Sequence, residues 1–251
     1  MLLCVDIGNS AIKFGIFDGS KLTSKFSIPT DRELTAERLA QQINDRPSMQ
    51  IDAAIVCSVV PEIDAAVRRF VKDEFQVDAR FVKSTDDFRL IISFPVTTTG
   101  ADRLVNSFAA SEKYGTPCIV VSFGTATTID VVNAEREYLG GLIAPGMKIG
   151  AQALAIAASK LPEVELTKPE SVIAQTTEKA IQSGIVYGHI EMIKGLLRRV
   201  SNELGAKPKI VATGGFARML TSEIEDISIV DDDLTLNGLM LLNKRAVNPD
   251  T

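Results

Sequence analysis

One histidine, three cysteines and no surplus of basic residues are the first features of this 251-residue sequence, and each scarcity closes a class of function. The single histidine, His189, has no cysteine near it, which leaves no ligand set for a zinc site. Cys4, Cys57 and Cys118 are odd in number, far apart and each inside an apolar, strand-like run. That is the spacing of neither a disulfide framework nor a metal cluster, and buried structural thiols are expected. Lysine and arginine number 27 against 32 acids, for a net charge of −5 and a pI near 5.1, so phosphate neutralisation along a nucleic acid is not expected. No uninterrupted apolar stretch reaches the roughly 20 residues that a membrane-spanning helix needs. The start, Met1-Leu2-Leu3-Cys4-Val5-Asp6, meets an acid at once and has no basic n-region, so no signal peptide and a cytoplasmic location are expected. Also missing are G-x-x-x-x-G-K-[ST], G-x-G-x-x-G and the protein-kinase signatures.

What is present is ordinary globular material, 45% apolar and 24% charged, in a length that suits one large or two small domains. Turn chemistry at Gly8-Asn9-Ser10 and Asp18-Gly19-Ser20 divides the first thirty residues into a β-meander, with strands over 2–7, 12–17 and 22–28. Helical spacing follows over 35–43, a buried strand over 53–60, and a helix opened by Pro61 that runs through Phe70. Short strands are expected at 80–83 and 90–94, and a helix at 102–114. Later come a stretch over 138–146 with three glycines and a proline, helices over 149–161 and 177–204, a strand over 209–213 and a terminal helix over 234–242. Gly184 and Gly188 lie one turn apart on the long helix, where small residues let another backbone approach.

An internal repeat is visible. Leu2-Leu3-Cys4-Val5-Asp6-Ile7-Gly8-Asn9-Ser10 lies without gaps over Cys118-Ile119-Val120-Val121-Ser122-Phe123-Gly124-Thr125-Ala126. Both are a buried strand, a polar residue near its end, a glycine turn and a returning strand. The pattern predicts two related α/β halves, 1–115 and 116–251.

Three glycine turns follow apolar strands, at Gly8, Gly124 and Gly214-Gly215. Glycine there lets backbone N–H groups approach an anion, and hydroxyls of Ser10, Thr125, Thr127 and Thr128 add donors. Asp6, at a strand end beside its turn, reads either as an Asx-type turn residue or as a ligand for Mg²⁺ near phosphates. Lys13 reads either as a solvated strand lysine or as a phosphate partner. Asp102 heads a helix, as a cap or as a general base, with Arg103 beside it able to clamp a carboxylate. His189, on the long helix, reads as a packed or solvated residue outside the chemistry.

The order Asp6-Ile7-Gly8-Asn9-Ser10-x-x-Lys13-x-Gly15, Gly100-Ala101-Asp102-Arg103-x-x-Asn106, Gly124-Thr125-Ala126-Thr127-Thr128-x-Asp130 resembles the type III pantothenate kinases. So do Gly140-Gly141-x-Ile143-x-Pro145-Gly146, Thr177-x-x-Ala180-x-x-Ser183-Gly184 and Thr213-Gly214-Gly215. The resemblance implies a duplicated actin/hexokinase-like (ribonuclease H-like) α/β fold with ATP in a cleft between the halves. It implies phosphorylation of pantothenate to 4′-phosphopantothenate, the first step of coenzyme A synthesis, by a cytoplasmic homodimer whose substrate pocket lies near the interface. It makes Asp102 the base for the pantothenate hydroxyl, and Gly100, Arg103 and a partner's Thr177 the pantothenate contacts. Asp6, linked to Mg²⁺, would join Gly8, Asn9, Ser10 and Lys13 in the first phosphate loop. Gly124, Thr125, Thr127 and Thr128 would form the second, and Gly214 and Gly215 would face the adenosine.

The resemblance breaks at Ser122, where the family carries an aspartate that helps to hold a monovalent cation, K⁺ or NH₄⁺, beside the phosphates. A serine keeps an oxygen and loses the charge. Two readings follow: a kinase with altered cation dependence, or an impaired or repurposed homologue that binds nucleotide or acts as a regulator. The run Phe94-Pro95-Val96-Thr97-Thr98-Thr99 also departs from the family's usual tyrosine- and proline-containing segment.

Overall fold

The computed structural model describes residues 1–43 and 50–247. Two compact units divide the chain, one formed by Met1–Ala109 with Asp233–Thr251 and the other by Ala110–Asp232.

In the first unit, β1 (Leu2–Ile7), β2 (Ala11–Asp18) and β3 (Lys21–Pro29) form the expected meander. β4 (Ala53–Ser58) then pairs with the other side of β1 in parallel, and β5 (Ala79–Phe81) with β4, giving the order β3-β2-β1-β4-β5. β1 is central, so it is buried on both faces and reads as an unbroken apolar run apart from Asp6. α1 (Ala36–Ile43) and α2 (Asp64–Phe75) cover one face with Leu39, Val67, Phe70 and Val71, packed on Val5, Ile7, Phe14 and Val56. Burying each of these side chains stabilises the unit by about 1.5–3 kcal/mol. Pro61–Ile63 forms a 3₁₀ turn before α2, so the helix starts later than the proline suggests. No strand forms at 90–94 beyond a single bridge residue at Ile91. Arg89 has a φ of 50° and Ile91 is 58% exposed, while Phe88 supplies the buried anchor of this stretch.

The second unit holds β6 (Cys118–Phe123), β7 (Ala126–Val132), β8 (Tyr138–Pro145), β9 (Lys209–Thr213) and β10 (Ile229–Val230). β6 pairs antiparallel with β7, which pairs antiparallel with β8, while β6 and β9 are parallel, as are β9 and β10. The order β8-β7-β6-β9-β10 repeats β3-β2-β1-β4-β5 strand for strand. The repeat seen in the two glycine hairpins therefore extends over a whole five-stranded sheet. α4 (Met147–Ala157), α5 (Thr177–Leu204) and the short α6 (Ala217–Thr221) complete the unit. α5 puts Val186, Ile190, Ile193 and Leu197 on Ile119, Val121, Ile129 and Val131. Its ends are set by the Thr176 hydroxyl, which accepts from Lys179 N–H, and by Gly205 with a φ of 64°. Among the described residues no helix is long and apolar enough to cross a membrane.

α3 (Ala101–Tyr114) and α7 (Leu234–Val247) remain. The sequence repeat divides the chain contiguously at 115/116, whereas compactness groups α7 with the first unit, because it packs on β1, β2 and β4. The approach is close. A Cβ on Gly238 would lie 2.8 Å from the Val105 carbonyl oxygen and 3.1 Å from Ala109 Cβ. Nearby, the Thr235 hydroxyl donates to Asn106 Oδ1 at 2.8 Å.

Gly238→Ala sets two effects against each other. Helix propensity favours alanine by about 1 kcal/mol, while forcing a methyl against a fixed carbonyl costs about 1–3 kcal/mol. The clash is expected to win, lowering the midpoint of chemical denaturation. A raised midpoint would contradict the packing described for α7.

Candidate active site

In the first unit the sheet register gathers the polar residues. Asp6 at the end of β1 faces Lys13 on β2 and Cys57 on β4. Burial raises the Asp6 carboxyl to about 6; the Lys13 ammonium opposes this shift and the Asp102 carboxylate adds to it. Burial likewise holds the Cys57 thiol far above its ordinary value, with Asp6, Asp102 and Asp64 adding to the shift, so it stays protonated. The turn after β1 is tied on several sides. Gly8 N–H donates to Ala11 O at 3.0 Å, Thr30 Oγ1 donates to Gly8 O at 2.6 Å, and Thr30 N–H donates to Ser10 O at 3.2 Å. Asn9 and Ser10 are exposed, with Asn9 Oδ1 accepting from Arg32 at 3.4 Å.

Asp102 sits in the first turn of α3 with its carboxylate folded back over Gly100. A Cβ on Gly100 would lie 2.4 Å from Asp102 Oδ1, so any side chain there would displace the carboxylate. Burial raises the Asp102 carboxyl, opposed by the Arg103 N–H and guanidinium and by its own N–H. Two partly buried carboxylates with raised affinity for a proton thus stand close together, as they do where proton transfer is the task.

The second unit repeats the turn without the charges. Ser122 occupies the place of Asp6 and faces Thr128 on β7 and Thr213 on β9, a row of three hydroxyls. Gly124 N–H donates to Ala126 O at 3.2 Å. Two further glycines press their backbones on this turn. A Cβ on Gly146, which precedes α4, would lie 2.2 Å from Thr125 O; one on Gly214, whose φ is 96°, would lie 2.5 Å from Phe123 O. Gly215 faces open space. Next to it Phe216 borders a cavity of about 330 Å³, lined also by Lys148, Gln152 and Glu163–Leu166.

The type III pantothenate kinase family model matches residues 2–199. This chain belongs to that family. Its members phosphorylate pantothenate in coenzyme A biosynthesis, and the kinase described here is accordingly an ATP-using phosphotransferase. Solved structures of the same fold include a conserved Campylobacter jejuni protein named as a Baf family transcriptional activator, at 21% identity and a TM-score of 0.62, covering 98% of this chain and 99% of that one. A Sinorhizobium meliloti protein named as a 2-dehydro-3-deoxygalactonokinase gives 14% and 0.60, covering 99% and 100%. The inorganic polyphosphate/ATP-glucomannokinase of Arthrobacter gives 12% and 0.52, covering 97% and 98%. At these identities the likeness establishes the duplicated kinase fold.

Within each unit the kinase brings most of the sequence-predicted residues together. Asp6, Lys13 and Asp102 interact in the first, with Gly8, Gly100 and Arg103 adjoining them; Gly124, Thr125, Thr128 and Gly214 cluster in the second, with Gly215 beside Gly214. Thr127 is different. Strand alternation turns its side chain to the α5 side of the sheet, where it is 2% exposed and bonded to His189 Nε2 at 2.9 Å. Thr128 lies on the opposite face and donates to Asp130 Oδ2 at 3.2 Å, while Tyr138 OH donates to Asp130 Oδ1 at 2.7 Å. Thr177 is exposed at the first position of α5. No backbone of this chain approaches Gly184 or Gly188 within the described residues.

Sequence reasoning set His189 aside and gave no role to Gly146 or Asp130. The signal for His189 was available: it shares a helical face with Val186 and Ile193, and Thr127 alternates with Ile129 and Val131.

The raised Asp6 carboxyl has a consequence for stability. Its folded value, about 6, exceeds the ordinary 3.8, so the native state binds the proton more tightly than the unfolded chain. That stabilisation is full below 3.8 and is lost as pH rises through about 6. Asp6→Asn removes the dependence. Unfolding free energies of the two proteins from urea titrations should therefore diverge in favour of the asparagine between pH 4 and pH 7.5, by on the order of 2–3 kcal/mol. A gap that stays constant or moves the other way would contradict the burial of this charge.

Proposed function

We propose that Asp102 is the general base that takes the proton from the primary hydroxyl of pantothenate as its oxygen attacks the γ-phosphorus of ATP and ADP departs. The observation that carries this reading is the Asp102 carboxylate held over Gly100 beside Asp6, with its proton affinity raised by burial. A base of raised pKa is matched to proton transfer near neutral pH. Arg103, one residue on, clamps the pantothenate carboxylate. Phosphoryl transfer asks mainly for positioning and charge neutralisation, and the two strand-end turns are suited to both.

The turn Gly8–Ser10, with Lys13 as counter-charge, and the turn Gly124–Thr125 are each assigned to phosphate, and Gly214-Gly215 with the cavity beside Phe216 to the adenosine. Among the described residues no three His, Cys, Asp or Glu side chains are grouped to hold a metal ion. A single carboxylate at Asp6 nonetheless fits Mg²⁺, which binds through one or two carboxylates and the substrate phosphates. Mg²⁺ there supplies charge neutralisation. The hydroxyls of Ser122, Thr128 and Thr213 fit a weakly held K⁺ or NH₄⁺, with the Asp130 carboxylate hydrogen-bonded behind Thr128.

A homodimer accounts for surface that the single chain leaves uncovered. Ile143 on the edge strand β8 is 66% exposed, Ile156 on α4 is 86% exposed, and Ile173 is 88% exposed. Gly184 and Gly188 offer a flat stretch of α5 in the same unit. In this arrangement Thr177 completes the pantothenate pocket of the neighbouring copy. The metabolic role supports a cytoplasmic location, and the halves 1–115 and 116–251 are the segments we assign to the original duplication.

The roles are tested by two substitutions in steady-state kinetics. Asp102→Asn should lower kcat by at least ~100-fold while leaving the nucleotide affinity within about twofold. Arg103→Ala should raise the KM for pantothenate at least about tenfold and leave the KM for ATP unchanged. Near-normal turnover in the first, or an unmoved pantothenate KM in the second, would remove that residue from its role.

A further inference from the structure

The face of the second sheet that packs on α5 is apolar from Ile119 to Leu197, with one polar pair inside it. Thr127 is 2% exposed and His189 is 7% exposed, and they bond at 2.9 Å between Oγ1 and Nε2. The His189 ring also lies 6.2 Å from the Phe123 ring, tilted by 60°. Phe123 and Thr127 are cross-strand partners and enclose the turn Gly124-Thr125-Ala126. His189 therefore touches both ends of that turn from below.

A valine and a leucine would fill the same space without burying polar atoms, so packing alone gives no reason for the pair. The turn gives one. Gly146 presses on Thr125 O and Gly214 on Phe123 O, and the returning strand is paired on its edges with β6 and β8, which leaves its α5 face as the side that only side chains can tie. A directional bond from α5 to Thr127 sets the position of the helix against that face, which dispersion contacts define less sharply. Burial holds the imidazole below its ordinary pKa, so the ring is neutral and retains a nitrogen able to accept the Thr127 hydroxyl proton.

We propose that His189 is a positioning residue for nucleotide binding: acting through Thr127, it fixes the turn Phe123–Thr127 so that its backbone N–H groups meet the phosphates. The inference rests on the reading of this turn as a phosphate loop. It also gives Thr127 a role other than direct contact with phosphate.

The test combines calorimetric titration of Mg·ADP with thermal melts, for the parent and for His189→Leu, Thr127→Val, the double variant and His189→Gln. Each single apolar variant strands one buried polar partner and should weaken ADP binding about tenfold and lower the Tm. The double variant removes both polar groups and should recover most of the Tm while its ADP affinity stays about tenfold weak. His189→Gln, which places a polar atom near the former Nε2, should recover most of the affinity. The KM for pantothenate should move less than about twofold throughout. If affinity returns together with Tm in the double variant, the pair only supports the core and the proposal is overturned. Unchanged ADP affinity in both single variants overturns it as well. A parent that binds no adenine nucleotide refutes the phosphate-loop reading itself, and this inference with it.

Discussion

A carboxylate set near the end of an apolar strand, with its proton affinity raised by burial, is the constraint on which the candidate site in the first unit depends. Asp6 lies near the end of the central strand β1, where its carboxyl is raised to about 6, chiefly by burial. Lys13 across the sheet offsets part of that cost, and Asp102 adds to it. Gly100 gives Asp102 the room to stand there at all. A protein selected for stability alone would place a valine at residue 6. Under the proposed assignment the retained charge makes sense where a dication arrives with the phosphates, because the dication supplies the positive charge that the folded chain leaves incomplete.

Duplication explains why the same geometry occurs twice and divergence explains why it does different work. The two sheets share strand order and pairing, so Ser122 stands where Asp6 stands and Thr128 where Lys13 stands. A row carrying a carboxylate and an ammonium in one unit is a row of hydroxyls in the other. The second turn is instead shaped by backbone proximity, with Gly146 and Gly214 pressed on carbonyls at distances that no other residue would permit. Taken separately, the first unit groups two carboxylates and a lysine, and the second presents a closely built turn whose strand-end residue is a hydroxyl.

The sequence showed these features unevenly, for physical reasons. Strands such as β1 and β6 were legible because burial on both faces makes an unbroken apolar run, and glycine turns end them sharply. The 90–94 segment misled, since a short apolar run looks alike in a strand and in a loop with one anchored phenylalanine. The return of α7 to the first unit is a long-range contact that no local pattern carries. Among the site residues, Asp6, Gly100 and Asp102 were visible as a strand end and a helix start. The opposite directions of Thr127 and Thr128 follow from strand alternation. The partner of Thr127 is 62 residues away and needed the tertiary structure to be seen.

The central claim is that this chain transfers phosphate from ATP to pantothenate with a cation site weakened at Ser122. Following the phosphorus resonances of a mixture of ATP, Mg²⁺ and pantothenate, with and without K⁺ and for the parent beside Ser122→Asp, tests it most directly. A phosphomonoester signal appearing with ADP in the parent, with less dependence on K⁺ than in the aspartate variant, is the predicted result. No phosphomonoester from either folded protein, with or without K⁺, would contradict the account.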